Sequence, residues 1–116
     1  MLVSKEFVFD AAHNLPNYRG KCERLHGHTY RLLVTVEAPV DPDTGIACDF
    51  SQIGDLVKSE VVDVLDHTYL NETIPTSTAE NVAVWIWGRV SERISAQMVE
   101  VKLWETPTSS VIYRGE

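Results

Sequence analysis

Cysteine, positive charge and long apolar runs are all scarce in this sequence. Its two cysteines, Cys22 and Cys48, lie far apart and lack the spacing of a zinc finger, which argues against a disulfide framework or a Cys-rich metal site. The absence of a long apolar run excludes a transmembrane helix. Only 10 Lys and Arg stand against 17 Asp and Glu, and the net charge of −7 disfavours binding to nucleic acid or to an anionic membrane.

Repeats, linkers and low-complexity segments are also absent. A length of 116 residues suits a single domain, 1–116, with a real hydrophobic core. The first residues, MLVSKEFVF, do not show the charged stretch followed by an apolar core that is typical of a secretion signal. We therefore expect a cytoplasmic protein whose thiols are reduced.

Four segments of the chain predict β-strands. Residues 2–13 alternate between apolar and polar side chains, and residues 26–38 are rich in β-branched residues. Residues 98–106 and 109–115 predict two further strands, separated by a turn that contains Pro107. The strands therefore come in two pairs, one near each end of the sequence.

A first helix is predicted between these two pairs. Residues 51–67 place apolar side chains at helical spacing. Ser51 is a plausible N-cap for this helix, and Asp49 is interpreted as a carboxylate at the helix start.

A second helix, 77–94, is marked by Ser77 and Glu80, which have the spacing of a capping box. The resulting order is ββααββ. Strands and helices in separate runs predict an α+β fold, with a four-stranded antiparallel sheet and two helices on one face. Because such a sheet has exposed edges, we also expect the protein to form oligomers.

Three of the four histidines are candidates for a metal site. His26 and His28 are two residues apart on a predicted strand, so their side chains point to the same face. His13 ends the preceding strand, and antiparallel pairing would bring it beside them. Three imidazoles with an open fourth position are typical of catalytic zinc. The alternative is that these are ordinary histidines, structural or exposed.

Four further residues are candidates for catalysis or binding, each with a simpler alternative. Cys22 precedes the histidine-bearing strand, where a cation would favour the reactive thiolate, but it also suits an ordinary loop thiol. Asp66 and His67 offer a base with its orienting carboxylate, or a histidine that compensates a helix dipole. Glu105 ends a strand before a turn, where a solvated carboxylate is also common.

Six motifs occur in the order found in the 6-pyruvoyltetrahydropterin synthase family: FDAAH, CERLHGHTY, DF, LDHTYLN, PTSTAEN and WET. The resemblance extends from about residue 6 to residue 115. Within the family, the sequence most resembles the bacterial 6-carboxy-5,6,7,8-tetrahydropterin synthases of queuosine biosynthesis. Each motif is weak alone, but together they are specific.

The resemblance implies a role for each candidate residue. It implies that His13, His26 and His28 hold a zinc ion. Cys22 would be the catalytic thiol, and Asp66 and His67 would complete a Cys-Asp-His set. Glu105 would anchor the pterin ring through two parallel hydrogen bonds.

The resemblance also implies an assembly and a reaction. The tunnelling fold is a ββααββ unit; three units would close a twelve-stranded barrel, and two trimers would form a homo-hexamer with active sites between subunits. The substrate would be 7,8-dihydroneopterin triphosphate, and the products 6-carboxy-5,6,7,8-tetrahydropterin, acetaldehyde and triphosphate. Cations must receive the triphosphate, and Arg19, Lys21 and Arg24 are candidates from their position in a loop.

One residue leaves the reaction open. Glu23 has the spacing of the glutamate in the pattern E-x-x-H-G-H, found in a branch that releases 6-hydroxymethyl-7,8-dihydropterin for folate synthesis. Glu23 is therefore a candidate for a second, folate-type activity, or else a solvated loop carboxylate. The three residues between Cys22 and His26 disfavour the tetrahydrobiopterin branch, which has a longer gap. A non-catalytic metal- or pterin-binding module is the remaining alternative.

Overall fold

Five strands form one sheet in the order β3-β1-β2-β4-β5 in the computed structural model. The structure describes all 116 residues, apart from the side chain of Lys21. All neighbouring strands are antiparallel except β3, which is parallel to β1. The strands are β1 (Leu2–His13), β2 (His26–Glu37), β3 (Thr68–Tyr69), β4 (Gln97–Thr106) and β5 (Ser109–Tyr113).

The helical segments connect the two halves of the sheet. Helix α1 (Phe50–Val57) continues through a π-helical turn (Lys58–Val62) into the short α2 (Asp63–Leu65), and α3 (Ala79–Ser91) follows a loop. Two 3₁₀ turns, Lys21–Glu23 and Leu70–Glu72, lie in the loops. The predicted α+β fold, with its helices packed on one face of a largely antiparallel sheet, is confirmed.

Alternation along β2 explains why the sheet has one buried face. Tyr30, Leu32, Val34 and Val36 are fully buried, while the residues between them face outward or are only partly covered. Strand geometry places every second side chain on the same face, so this one strand supplies four layers of the core. Each such side chain contributes roughly 1.5–3 kcal/mol by leaving water.

The helices cover this face with the apolar stripes that the sequence predicts. The buried residues of the helical segments are Ile53, Val57, Val61 and Leu65 in the first helical region and Ala79, Val82, Ala83, Ile86 and Val90 in α3. Cys48 is also buried, and both cysteines are free thiols. No helix among the described residues is long and apolar enough to span a membrane.

The N-caps differ from the predicted ones by one or two residues. Asp49, and not Ser51, caps α1, because its carboxylate accepts a hydrogen bond from the backbone N–H of Ser51. Thr78, and not Ser77, caps α3, because its hydroxyl accepts from the backbone N–H of Asn81 at 3.1 Å. The capping box assigned to Ser77 is therefore wrong. The Ser77 side chain is buried and has a different set of partners.

The fifth strand, β3, was not predicted. It has only two residues, which is too short for a period of apolar side chains to be visible, and it pairs only with Ala11 and Ala12 of β1. Within the described residues, the rest of β1 therefore has a neighbour on one side only. β5 forms the opposite edge of the sheet.

Candidate metal and catalytic site

The antiparallel pairing of β1 and β2 brings three imidazoles together. His13 and His26 are direct cross-strand partners, and His28 lies opposite Ala11. The ring centroids are 4.6 Å apart for His13 and His26, 5.1 Å for His13 and His28, and 4.7 Å for His26 and His28. One nitrogen from each ring lies within 4.8 Å of the other two. The predicted metal ligands therefore share one point at the end of the sheet.

Hydrogen bonds on the far side of two rings determine which nitrogens face inward. Nδ1 of His13 donates to the carbonyl oxygen of Ser77 at 2.7 Å, and Nδ1 of His26 donates to that of Arg24 at 2.7 Å. A carbonyl only accepts, so the proton is on Nδ1 and the Nε2 atom of each neutral ring has a free lone pair. Metal-binding histidines are typically fixed by this kind of outer hydrogen bond.

The inward-facing nitrogens match the donor set of a zinc-type ion. The Nε2 atoms of His13 and His26 are 3.1 Å apart, close to the distance of about 3.4 Å expected for two nitrogens on one tetrahedral zinc ion. Two lone pairs repel each other at this distance unless a cation lies between them. The buried Nε2 of His28 has no hydrogen-bond partner among the described residues. The three residues therefore fit a divalent ion bound by neutral imidazoles.

Burial favours the neutral form of His28. Desolvation lowers the pKa of this imidazole, and the neighbouring rings of His13 and His26 lower it further. The carboxylate of Glu105 acts in the opposite direction and raises the same pKa. Because metal binding requires an unprotonated nitrogen, desolvation prepares His28 as a ligand.

A β-bulge directs Glu105 towards the three histidines. The pairing of β2 with β4 ends at Arg31 and Trp104, and the register of β4 with β5 shifts between Trp104 and Thr106, which leaves Glu105 unpaired. Its carboxylate oxygens lie 3.7 Å from Nε2 of His28 and 4.0 Å from Nε2 of His13. The side chain is only partly buried and remains accessible to a ligand.

Cys22 and Glu105 line the same cavity, of about 370 Å³. The other walls are the loop that contains Leu15 and Tyr18, the first residues of α3, and the start of β5. Cys22 lies in the first 3₁₀ turn, and its carbonyl oxygen accepts from the backbone N–H of Leu15 at 2.7 Å. Glu23, its neighbour, is exposed and is not part of the cavity wall.

Asp66 and His67 form a close pair just after α2. Nδ1 of His67 lies 2.9 Å from a carboxylate oxygen of Asp66. His67 has φ = 58°, a left-handed conformation that is uncommon outside glycine, and its backbone N–H donates to the carbonyl of Asp10 at 2.6 Å. The backbone N–H of Asp10 in turn donates to Asp66 at 2.9 Å. The two bonds to Asp10 fix the position of the pair beside β1.

These contacts move the two pKa values apart. The backbone N–H of Asp10 and the hydrogen bond with His67 lower the pKa of the Asp66 carboxyl. The hydrogen bond and negative charge of Asp66 raise the pKa of His67. His67 is therefore a candidate proton donor and not merely a residue that compensates the helix dipole, because its partner is a carboxylate and not a helix-end carbonyl.

Cys22 and His67 line different cavities. His67 borders a cavity of about 540 Å³, with Asp10, Thr29 and His28 in its wall. Cys22 is not part of that wall, and His67 is not part of the wall around Cys22. Within one chain, Glu105 lies beside the three histidines and also lines the cavity of Cys22. Asp66 and His67 lie at the other cavity, which His28 also borders.

Comparison with known proteins matches this chain to one family. The family model for 6-pyruvoyl tetrahydropterin synthase matches residues 2–116. The chain belongs to the 6-pyruvoyl tetrahydropterin synthase family. Its fold is that of the Caenorhabditis elegans 6-pyruvoyl tetrahydropterin synthase, with a TM-score of 0.91 and 29% identity over 100% of this chain and 96% of that one.

Relatives in the 6-pyruvoyl tetrahydropterin synthase family carry two different activity names. The chain is 37% identical to a 6-carboxy-5,6,7,8-tetrahydropterin synthase of Synechocystis sp., over 97% of this chain and 92% of the relative. It is 33% identical to the 6-pyruvoyl tetrahydrobiopterin synthase of Homo sapiens, over 98% of this chain and 91% of the relative. Family membership therefore identifies a pterin synthase but does not identify its product.

The sequence did not reveal three residues whose hydrogen bonds hold the candidate site residues in place. Asp10 fixes Asp66 and His67 through its backbone, and Ser77 and Asn71 lie behind His13. Their only sequence signal was their place in the motifs FDAAH, PTSTAEN and LDHTYLN. Of the loop cations considered for the triphosphate, Arg19 and Arg24 are exposed, and the side chain of Lys21 lies outside the described residues.

Proposed function

We propose that this protein is a zinc-dependent carbon–carbon lyase that acts on 7,8-dihydroneopterin triphosphate. The proposed products are 6-carboxy-5,6,7,8-tetrahydropterin, acetaldehyde and triphosphate, and one water supplies the second carboxylate oxygen. The observation that carries the proposal is the set of three imidazoles whose Nε2 atoms face one point. Glu105 lies next to that point, and Cys22 lies in the cavity that Glu105 also lines.

The chain would hold zinc through Nε2 of His13, His26 and His28. When bound, the ion would act as a Lewis acid towards the hydroxyl groups of the substrate side chain. The open position of such a site is the one that a substrate oxygen takes in catalytic zinc enzymes. Glu105 is well placed for the pterin, because its ionised carboxylate can accept two parallel hydrogen bonds from a ring N–H and an exocyclic amine.

Cys22 and His67 would move protons. As a thiolate, Cys22 accepts a proton from a carbon of the substrate side chain. His67 is the complementary acid, because Asp66 raises its pKa and keeps it protonated to a higher pH than a free histidine. Asp66 fixes the orientation of the ring through the 2.9 Å contact with Nδ1.

We further propose that the complete site forms between subunits of a homo-hexamer. Support comes from the separation of the cavities of Cys22 and His67 within one chain. A second copy that brought its His67 to the cavity of Cys22 would complete the Cys-Asp-His set. The one-sided pairing of most of β1 and the free edge of β5 are suitable for joining sheets between subunits. A cytoplasmic location stays a prediction.

The position of Glu23 favours the carboxylated product over the folate-type product. Cys22 lines a cavity together with Glu105, whereas Glu23 is exposed and is not part of the wall of that cavity. A proton acceptor must come within hydrogen-bonding reach of the proton that it removes. On this basis Cys22 is the better acceptor, and the release of 6-hydroxymethyl-7,8-dihydropterin is the alternative.

Product identification tests the proposal. Zinc-loaded protein would be incubated with 7,8-dihydroneopterin triphosphate and the pterins identified by mass, for the wild type, Cys22→Ala and Glu23→Ala. We expect 6-carboxytetrahydropterin from the wild type and from Glu23→Ala, and none from Cys22→Ala. If the wild type releases mainly 6-hydroxymethyl-7,8-dihydropterin and Glu23→Ala abolishes it, the folate-type alternative is correct.

A further inference from the structure

Asn71 uses its whole hydrogen-bonding capacity on two backbone segments next to the metal site. Its Oδ1 accepts from the backbone N–H of Asn14 at 3.1 Å and from the hydroxyl of Ser77 at 2.9 Å. Its Nδ2 donates to the carbonyls of Asn14 at 2.8 Å and Pro75 at 3.1 Å. A side-chain amide has two donor hydrogens and two acceptor lone pairs, so every position is filled.

Both of these segments lead directly to His13. Asn14 follows His13 in the chain, so the two bonds to its backbone fix the end of β1. Ser77 provides the carbonyl oxygen that accepts from Nδ1 of His13 at 2.7 Å. Ser77 and His13 are both fully buried, so in this conformation no water reaches Nδ1 of His13 as an alternative acceptor. Asn71 thus fixes the position of His13 relative to the Ser77 carbonyl that accepts its hydrogen bond.

Asn71 ends a segment of six residues, 66–71, that also carries Asp66 and His67. At its start, His67 is bonded to Asp10 of β1, and at its end Asn71 is bonded to Asn14. Between them, the hydroxyl of Tyr69 donates to the side chain of Asn14 at 2.6 Å. This segment is therefore fixed to β1 near its start and to Asn14, the residue after β1, at its end. The proposed proton donor His67 and the residue that supports His13 thus lie on one segment.

We propose that Asn71 is a positioning residue for the metal site: it holds the Ser77 carbonyl against Nδ1 of His13, and thereby keeps Nε2 of that ring free and aimed at the ion. This inference rests on the proposed function in one respect, because it takes the three histidines as the metal ligands. Outer-shell partners of metal-binding histidines typically change metal affinity about 10–100-fold when they are removed.

The test uses Asn71→Leu and Asn71→Asp with a matched control, Asn81→Leu. Asn81 lies in the first turn of α3 and donates through its side-chain amide to the carbonyl of Thr76 at 2.8 Å. Within the described residues it has no bond to Asn14, Ser77 or His13. Asn71→Asp keeps the acceptor oxygen but sets a second oxygen against the carbonyls of Asn14 and Pro75.

Zinc affinity of the apo-proteins is measured by competition with a chromophoric chelator, which requires no substrate. We expect both Asn71 variants to bind zinc about 10–100-fold more weakly than the wild type, and Asn81→Leu to bind like the wild type. Equal affinity of Asn71→Asp and Asn81→Leu would overturn the inference. If Asn71→Leu does not fold, Asn71→Asp gives the answer.

A second readout separates positioning from a general loss of stability. In ¹⁵N NMR spectra of the apo-protein, His13 of the wild type and of Asn81→Leu is expected as the Nδ1–H tautomer, and His13 of Asn71→Asp as a mixture of tautomers. An unchanged tautomer in Asn71→Asp contradicts the inference. If the wild type binds no zinc at all, the proposed function fails, whereas the tautomer measurement still decides the role of Asn71.

Discussion

The Nε2 atoms of His13 and His26 face each other at 3.1 Å across the end of the first strand pair. Each ring is held from behind by a backbone carbonyl, which leaves an inward lone pair on both nitrogens. This arrangement fits a cation between the two nitrogens, and it connects the strand register directly to the proposed chemistry.

Zinc should stabilise the wild-type protein but not a variant with a missing ligand. An ion that binds only the folded state raises the free energy of unfolding by about 2.7 kcal/mol when its free concentration is 100 times its Kd. The apo-protein should therefore show a higher Tm after zinc is added. His28→Ala should lose this increase. His67→Ala removes the one histidine outside the three-ring cluster and should retain it, which makes it the matched control. Equal increases in both variants in a thermal scan would argue against the proposed ligands.

Glu105→Gln should weaken substrate binding while zinc remains bound. Gln has the same shape but cannot accept two charge-assisted hydrogen bonds from a pterin, and such bonds contribute about 1.5–3 kcal/mol each. Loss of one such bond should raise KM roughly 10- to 100-fold, since 1.4 kcal/mol corresponds to a factor of ten. Steady-state kinetics and the zinc content are measured together. A loss of zinc with an unchanged KM would mean that Glu105 serves the histidines and not the substrate.

Asp66→Asn should lower the pH at which His67 loses its proton. In the wild type, the hydrogen bond and charge of Asp66 raise the pKa of His67. This interaction stabilises the folded protein below the ordinary pKa of histidine, and the contribution is lost as the pH rises through the raised value. NMR titration of the His67 ring measures the shift. Asp63→Asn, which removes a carboxylate paired with Lys58, is the control; an identical titration in Asp66→Asn and wild type would refute the pairing.

Inactive variants should complement each other if the site is shared between subunits. Cys22→Ala and His67→Ala each remove one member of the proposed set. Mixed oligomers, prepared by unfolding and refolding the two variants together, would contain some sites with both intact residues. We expect the mixture to recover part of the wild-type activity, with each variant refolded alone as the control. No recovery in verified mixed oligomers would place Cys22 and His67 of one site on the same chain.

The sequence predicted the parts of the site that depend on a strand period. His26 and His28 share a face because they are two residues apart, and antiparallel pairing was enough to bring His13 to them. The sequence predicted Ser77 as the N-cap of the second helix, and this prediction was wrong because Thr78 accepts from the backbone N–H of Asn81 instead. The Ser77 side chain is buried, and its hydroxyl donates to Asn71, a contact that has no local sequence signal.

Longer-range contacts had no local signal. Asn71 and Asn14 are far apart in the chain, with a sequence separation of 57, and their bonds depend on how the loops pack after folding. The two-residue strand β3 could not be predicted either, because it is defined only by its pairing with β1, which is distant in the sequence. The separation of Cys22 from His67 had no signal in the residues themselves, and only the family resemblance, which implies active sites between subunits, suggested it.

Titration of the apo-protein with zinc, with turnover measured at each step, decides whether the activity depends on one zinc ion bound per chain. Zinc would be added to metal-free protein, and the formation of 6-carboxytetrahydropterin from 7,8-dihydroneopterin triphosphate followed by mass. We expect product formation to rise in proportion to bound zinc and to stop rising at one ion per chain. Full turnover by protein that holds no metal, or no turnover by protein that holds one zinc per chain, would contradict it.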